Sequence, residues 1–295
     1  MRISNFNPVM LKQGIRLTSG KNPYTDVYLL NNNTVFKYLK TSAENNLAYG
    51  MFYNTFCAKL NAASKLQDIA ELVLPEEVSV DAKKYVKGFS YQYVNLPDLA
   101  SFFSDTVTMD EVTEFYIALS ELTDRLYDRK VIVPDLITSS NLLYDKENKK
   151  IRLIDYDGMQ IENIPTNVIS HTLRYKQNPV LRSSKYFNCN GTYTKEINTM
   201  SLLVDYLYRL TGINVADNPD FQGISSLEAN GMSLDKVKDK IRELFNSIGI
   251  DDKEIVNGYI NVFSAKQDNP EAKKLIKRFA NNYQSSFNGN KKDER

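Results

Sequence analysis

The stretch Val131–Gly158, VIVPDLITSSNLLYDKENKKIRLIDYDG, limits the fold more tightly than any other, because its pattern reads as a tight loop followed by a β-hairpin. Val131, Ile132 and Val133 carry the chain into Asp135, where apolar residues give way to Thr138, Ser139, Ser140 and Asn141. Leu142, Leu143 and Tyr144 read as a short strand, and Asp145 to Lys150 as a charged turn. Ile151, Leu153 and Ile154 form the return strand, which delivers Asp155 and Asp157 beside Gly158. A hairpin brings its two open ends to one place, so Asp135, Asn141 and Asp155 are expected to gather there. Two carboxylates and an amide oxygen are hard oxygen ligands, suited to Mg²⁺ and to steering a hydroxyl.

Composition removes several competing chemistries. With 37 basic against 36 acidic residues, the net charge of +1 gives no general pull toward nucleic acid or an anionic membrane. The two cysteines, Cys57 and Cys189, are too few and too far apart for a disulfide framework or a zinc site. The single histidine, His171, argues against sites and triads built on histidine. The N-terminus MRISNFNPVML has one basic residue and no long apolar run, so it does not read as a secretory signal. No window approaches the ~18 consecutive apolar residues of a spanning helix, and a cytoplasmic, reducing location is the default expectation.

The first third reads as β-rich with one helical insert. Gly14–Ser19, Asp26–Leu30 and Thr34–Leu39 predict three strands joined by short turns, an antiparallel meander. Leu47, Met51, Phe52, Phe56 and Leu60 predict a helix over Glu44–Leu60. Tyr85–Val94 reads as two strands around Gly88. From about residue 96 the pattern turns helical. Phe115, Leu119, Leu122 and Leu126 form one stripe of a helix over Glu111–Tyr127. Glu196–Leu210 is apolar on most of its surface and stops at Gly212, as a buried helix would. Leu234–Ile248, Glu254–Phe263 and Pro270–Tyr283 predict further amphipathic helices, followed by a frayed polar tail. Residues 159–195 are rich in Asn, Ser, Thr and Tyr and weakly periodic; a connection that long is usually functional or mobile.

A β-rich first third, a helical remainder and carboxylates at the junction hairpin resemble the protein-kinase-like superfamily over roughly residues 12–280. The resemblance implies an α+β, bilobal fold. A nucleotide-binding β-rich lobe would cover residues 1–95 and a helical lobe 96–282, with residues 283–295 as a flexible tail. The Gly-rich loop would fall on Gly20, Asn22, Thr25 and Val27, with only the first glycine present. The strand lysine that holds ATP phosphates matches Lys37 in Val35-Phe36-Lys37, with Lys40 as its exposed neighbour. Its helical acidic partner would be Glu44. Tyr91 stands at the gatekeeper place, and backbone groups near Gln92, Tyr93 and Val94 would bind adenine.

The catalytic loop of the family maps onto Val133-Pro134-Asp135-Leu136 and then Asn141, one residue later than usual. Val133 and Pro134 replace the family's His and Arg, so an activation-segment phosphate would lack its usual arginine. Ser140 is the alternative to Asn141, which is preferred because Asn141-Leu142-Leu143 reproduces the family's run. Asp155-Tyr156 matches the metal-binding motif, with Asp157 in place of its glycine. In the helix resembling the family's buried one, Asn198 takes the place of an aspartate.

The resemblance implies an ATP- and Mg²⁺-dependent phosphotransferase acting on a hydroxyl, with a protein Ser/Thr favoured over a small molecule. Lys37 would hold phosphates, Asn141 and Asp155 the metal, and Asp135 the acceptor hydroxyl. The alternative is a pseudokinase that senses nucleotide or acts as a scaffold. A third reading makes Asp135 and Asp155 turn caps in an interaction protein of another α+β fold. ATP is the expected ligand beside an unidentified acceptor.

Overall fold

The computed structural model describes residues 2–17, 25–30, 33–40, 58–104, 107–137, 141–164, 186, 192–212, 234–263 and 269–290, without the side chains of 157, 234–237, 240 and 284–290. The fold is α+β: a mixed sheet built from the N-terminal third, then a helical C-terminal part. Strands β1 (Arg2–Asn5), β2 (Ile15–Arg16), β3 (Thr25–Leu29), β4 (Thr34–Leu39), β5 (Glu77–Val80) and β6 (Val86–Gln92) form one six-stranded sheet. Their order is β1-β5-β6-β4-β3-β2, with β1 parallel to β5 and every other pair antiparallel.

The meander β2-β3-β4 is present as its sequence pattern predicts. Tyr85–Val94, in contrast, is not two strands broken at Gly88 but the single strand β6. Gly88 lies opposite Tyr38, and a Cβ there would stand 2.5 Å from the Lys37 carbonyl oxygen. Glycine is required for close approach to β4, not to end the strand. The N-terminal segment reaches both edges of the sheet. After β1, Phe6 stacks on Phe36 and Tyr38 at 6.1 and 5.6 Å between ring centroids, and helix α1 (Val9–Gln13) leads into β2 at the opposite edge.

Of the predicted Glu44–Leu60 helix, residues 41–57 lie outside the described residues; 58–63 are helical. The following chain crosses to the helical part. Val73 N–H donates to the Leu153 carbonyl at 2.9 Å, Leu153 N–H to Glu71 at 2.8 Å, and the Arg129 guanidinium grips both Asp68 oxygens.

Helices α2 (Leu99–Ser104) and α3 (Met109–Asp128) open the second part. Thr108 caps α3 in a reciprocal capping box with Glu111, which satisfies N–H groups that the first turn leaves over. Helix α4 (Glu196–Thr211) packs on α3 and ends at Gly212, whose φ of 73° is the left-handed cap conformation glycine adopts most readily. Helices α5 (Leu234–Ser247), α6 (Lys253–Phe263) and α7 (Ala272–Asn290) complete the part, with α7 against α3. Phe102, Phe115, Tyr116, Tyr206 and Phe279 fill its interior. Helix α7 continues to Asn290, where the sequence pattern predicts an end near Tyr283 and a loose tail. Among the described residues, no helix is long and apolar enough to cross a membrane.

Candidate active site

Two short ribbons carry the acidic residues. Strand β7 (Val131–Ile132) pairs antiparallel with β10 (Gln160–Ile161), and β8 (Leu142–Asp145) pairs with β9 (Lys150–Leu153). Val131, Ile132, Val133 and Leu136 are all buried, so the loop around Asp135 is anchored on both sides by apolar burial. At the open end of the hairpin, Ile154 N–H donates to the Asn141 carbonyl at 3.0 Å. The Asn141 side-chain amide donates to the Asp135 carbonyl at 3.4 Å, which turns its amide oxygen the other way. Asp135, Asn141 and Asp155 therefore sit on adjoining backbone, as the hairpin pattern predicts.

Asp155 adopts φ 69° and ψ 51°, a left-handed conformation that aspartate tolerates better than most residues. Its carbonyl accepts Gly158 N–H at 2.9 Å, closing a single turn over Tyr156–Gly158. This turn buries the Tyr156 ring against Phe89 and Tyr91, with centroids 6.0 and 6.3 Å apart. With the ring as an anchor, the Asp155 carboxylate is held at the mouth, about one-third exposed.

The sheet supplies the opposing charge. Lys37 lies on the inner strand β4 and is 8% exposed, and its ammonium donates to Asp155 Oδ1 across 118 positions of sequence. A lysine that deep needs an anion, and Asp155 supplies one. Lys40 instead joins Arg16 around Asp26, at 3.0 and 2.6 Å. Burial raises the Asp26 pKa, but the two cations outweigh it and hold the carboxyl below its usual range. Of the two candidate lysines, Lys37 is the one directed at the acidic hairpin.

Val27 pairs directly with Lys37, so both share the inner face of the sheet. Ile15 pairs with Leu29, and Leu17 N–H bonds the Val27 carbonyl at 2.8 Å, which puts Ile15 and Leu17 on that face too. They are 67% and 50% exposed, an unusual exposure for apolar residues on an inward face. Sequence reasoning passed over both, although their i, i+2 spacing on an edge strand was the available signal. Leu143, on the predicted hairpin strand, is half-buried between the buried Leu142 and Tyr144.

Tyr91 is buried against Tyr156. Tyr93 N–H donates to the Asn33 carbonyl at 2.9 Å. Gly20 and Glu44 lie outside the described residues. Asn198 is 4% exposed at the start of α4, with its amide oxygen unpaired among the described residues.

Among the described residues, no three His, Cys, Asp or Glu side chains form a metal cage. One amide and one carboxylate fit Mg²⁺ nonetheless, since that ion commonly takes one or two protein ligands and completes its shell with water and phosphate oxygens. No protein-family model matches the chain, and no curated protein matches it in sequence.

Proposed function

We propose that the chain is a protein-kinase-like phosphotransferase that moves the γ-phosphate of ATP to a hydroxyl, a protein Ser/Thr being the favoured acceptor. The observation that carries this reading is the Lys37–Asp155 ion pair, in which a buried amine from the sheet meets the carboxylate closing the acidic hairpin. The strand order supports it as well: β3 pairs with the strand that bears Lys37, β2 pairs with β3, and these two strands flank residues 18–24. In this reading the sheet and the helical part are the two lobes of the fold.

The base of ATP lies between Leu17, Val27 and Val35 on the sheet side and Leu143 on the hairpin side. Lys37 holds phosphate oxygens, exchanging part of its attraction to Asp155 for the incoming anion. Asn141 and Asp155 hold Mg²⁺, which supplies neutralisation of the phosphate charge when bound. Asp135 accepts the proton of the acceptor hydroxyl as its oxygen attacks the γ-phosphorus and the bond to the ADP oxygen breaks.

Thermal denaturation with and without Mg²⁺ and ATP tests the binding half of this proposal. Saturation at ~100 times the dissociation constant stabilises the folded state by about 2.7 kcal/mol. Wild type is expected to show an ATP-dependent rise that Mg²⁺ enlarges, and Lys37→Met to lose most of it. No rise in wild type, or an equal rise in Lys37→Met, overturns the assignment.

A further inference from the structure

We infer that Gln160 is a positioning residue for the acceptor: it fastens the chain returning to α4 against the ribbon behind Asp135. The inference rests on the phosphotransferase reading and goes beyond it by naming what holds the acceptor side of the site.

Gln160 is 3% exposed, yet both ends of its carboxamide are used on one residue. Its Oε1 accepts Tyr193 N–H at 2.7 Å, and its Nε2 donates to the Tyr193 carbonyl at 3.0 Å. An amide that takes both backbone groups of one residue imitates a rung of a β-ladder. It fixes the position and the direction of that residue together. Loss of either bond would leave a buried polar group unpaired, so the arrangement is strongly preferred over partial versions.

The location gives the clamp its meaning. Gln160 pairs with Ile132, three residues before Asp135, and follows Asp155 by five. One residue therefore links three segments: it lies on the strand after Asp155, its backbone pairs with the strand leading into Asp135, and its side chain holds the chain that enters α4. The far side of the returning chain is tied to the helical part. Thr194 N–H donates to the Tyr186 carbonyl at 3.0 Å, and the Tyr186 hydroxyl donates to the Val262 carbonyl. The sheet, with Lys37 and Val27, serves the nucleotide from the opposite direction. A disturbance at Gln160 thus reaches the acceptor side of Asp135 and leaves the nucleotide contacts in place. The clamp is also uncharged, so its contribution does not titrate.

The test compares the 295-residue chain with Gln160→Leu, which removes both bonds, and Gln160→Asn, which keeps the carboxamide on a side chain one methylene too short to hold both Tyr193 groups. Radiolabelled ATP is supplied with dephosphorylated casein as acceptor, and hydrolysis to inorganic phosphate is followed alongside. The expected result for Gln160→Leu is a casein KM raised about tenfold or more. Gln160→Asn falls between, while KM for ATP and the hydrolysis rate stay within about twofold of wild type and the pH–rate profile keeps its shape. A parallel fall of casein labelling and hydrolysis overturns the inference in favour of a scaffolding role, as does an unchanged casein KM. Wild type that hydrolyses ATP but labels neither casein nor itself also overturns it. Wild type with neither activity overturns the phosphotransferase reading, and this inference with it.

Discussion

Gly88→Ala probes how closely the lysine strand must approach its neighbour. The new Cβ would lie 2.5 Å from the Lys37 carbonyl oxygen and 2.8 Å from Phe36 Cε1, against a practical limit of 3.0 Å. The oxygen is backbone and Phe36 is fully buried, so no rotamer change relieves the contact. Strand β4 must move away from β6, stretching the ladder between Thr34–Gln92 and Tyr38–Gly88. Overpacking of this kind costs about 1–3 kcal/mol. Alanine also restricts the unfolded chain, which returns about 0.4–1 kcal/mol. The net loss is between about zero and 2.6 kcal/mol, or a midpoint lowered by up to about 10 °C at ~2–4 °C per kcal/mol. Because the displaced strand carries Lys37, stabilisation by ATP should shrink in the same variant. Thermal and urea denaturation with and without Mg·ATP measure both effects. A Gly88→Ala protein with unchanged midpoint and unchanged ATP response would refute the reasoning.

Two further outcomes follow from the charge arrangement. The Lys146 ammonium and the Thr108 N–H hold the Glu111 carboxyl down at about 2, from an ordinary 4.5. A depressed carboxylate contributes stability that is present above its unfolded value and lost as pH falls through its folded one. Midpoints measured between pH 5 and 2 should therefore decline in wild type and decline less in Glu111→Gln; equal slopes would contradict the assignment. At the site, Lys37→Met should cost the ligand-free protein little, because the Asp155 carboxylate that loses this cation is about one-third exposed and is solvated by water. Asp155→Ala should destabilise more, since it removes an anion from a lysine that is 8% exposed. Denaturation of the two variants side by side checks the order, and the reverse order would refute it.

Local pattern made much of this molecule legible. The β-branched and aromatic run in Thr34–Leu39 and the charged turn between Leu142 and Leu153 each specify an element without help from distant residues. The stripe on α3 does the same. The pairing of Lys37 with an acidic hairpin was legible only in part. The strand showed that the lysine needs an anion, but the sequence suggested Glu44, and the described structure brings it Asp155. What escaped depends on contacts distant in sequence. Strand β1 has four residues, no alternation, and a parallel partner more than seventy positions away. Gly88 looks like a strand breaker until Phe36 is seen lying across it. Gln160 is an ordinary polar residue in sequence, and only the return of Tyr193 to its amide marks it.

Transfer of label from γ-labelled ATP tests the central claim most directly, with wild type and Asp135→Asn compared in the presence and absence of Mg²⁺. Asn keeps the size and the backbone of the loop but cannot accept the hydroxyl proton. Wild type should place label on itself or on an added protein only with Mg²⁺. Asp135→Asn should lose about 10²–10⁴-fold of that rate while keeping its ATP-dependent thermal stabilisation. Equal labelling by the two proteins, or none by wild type, would contradict the account.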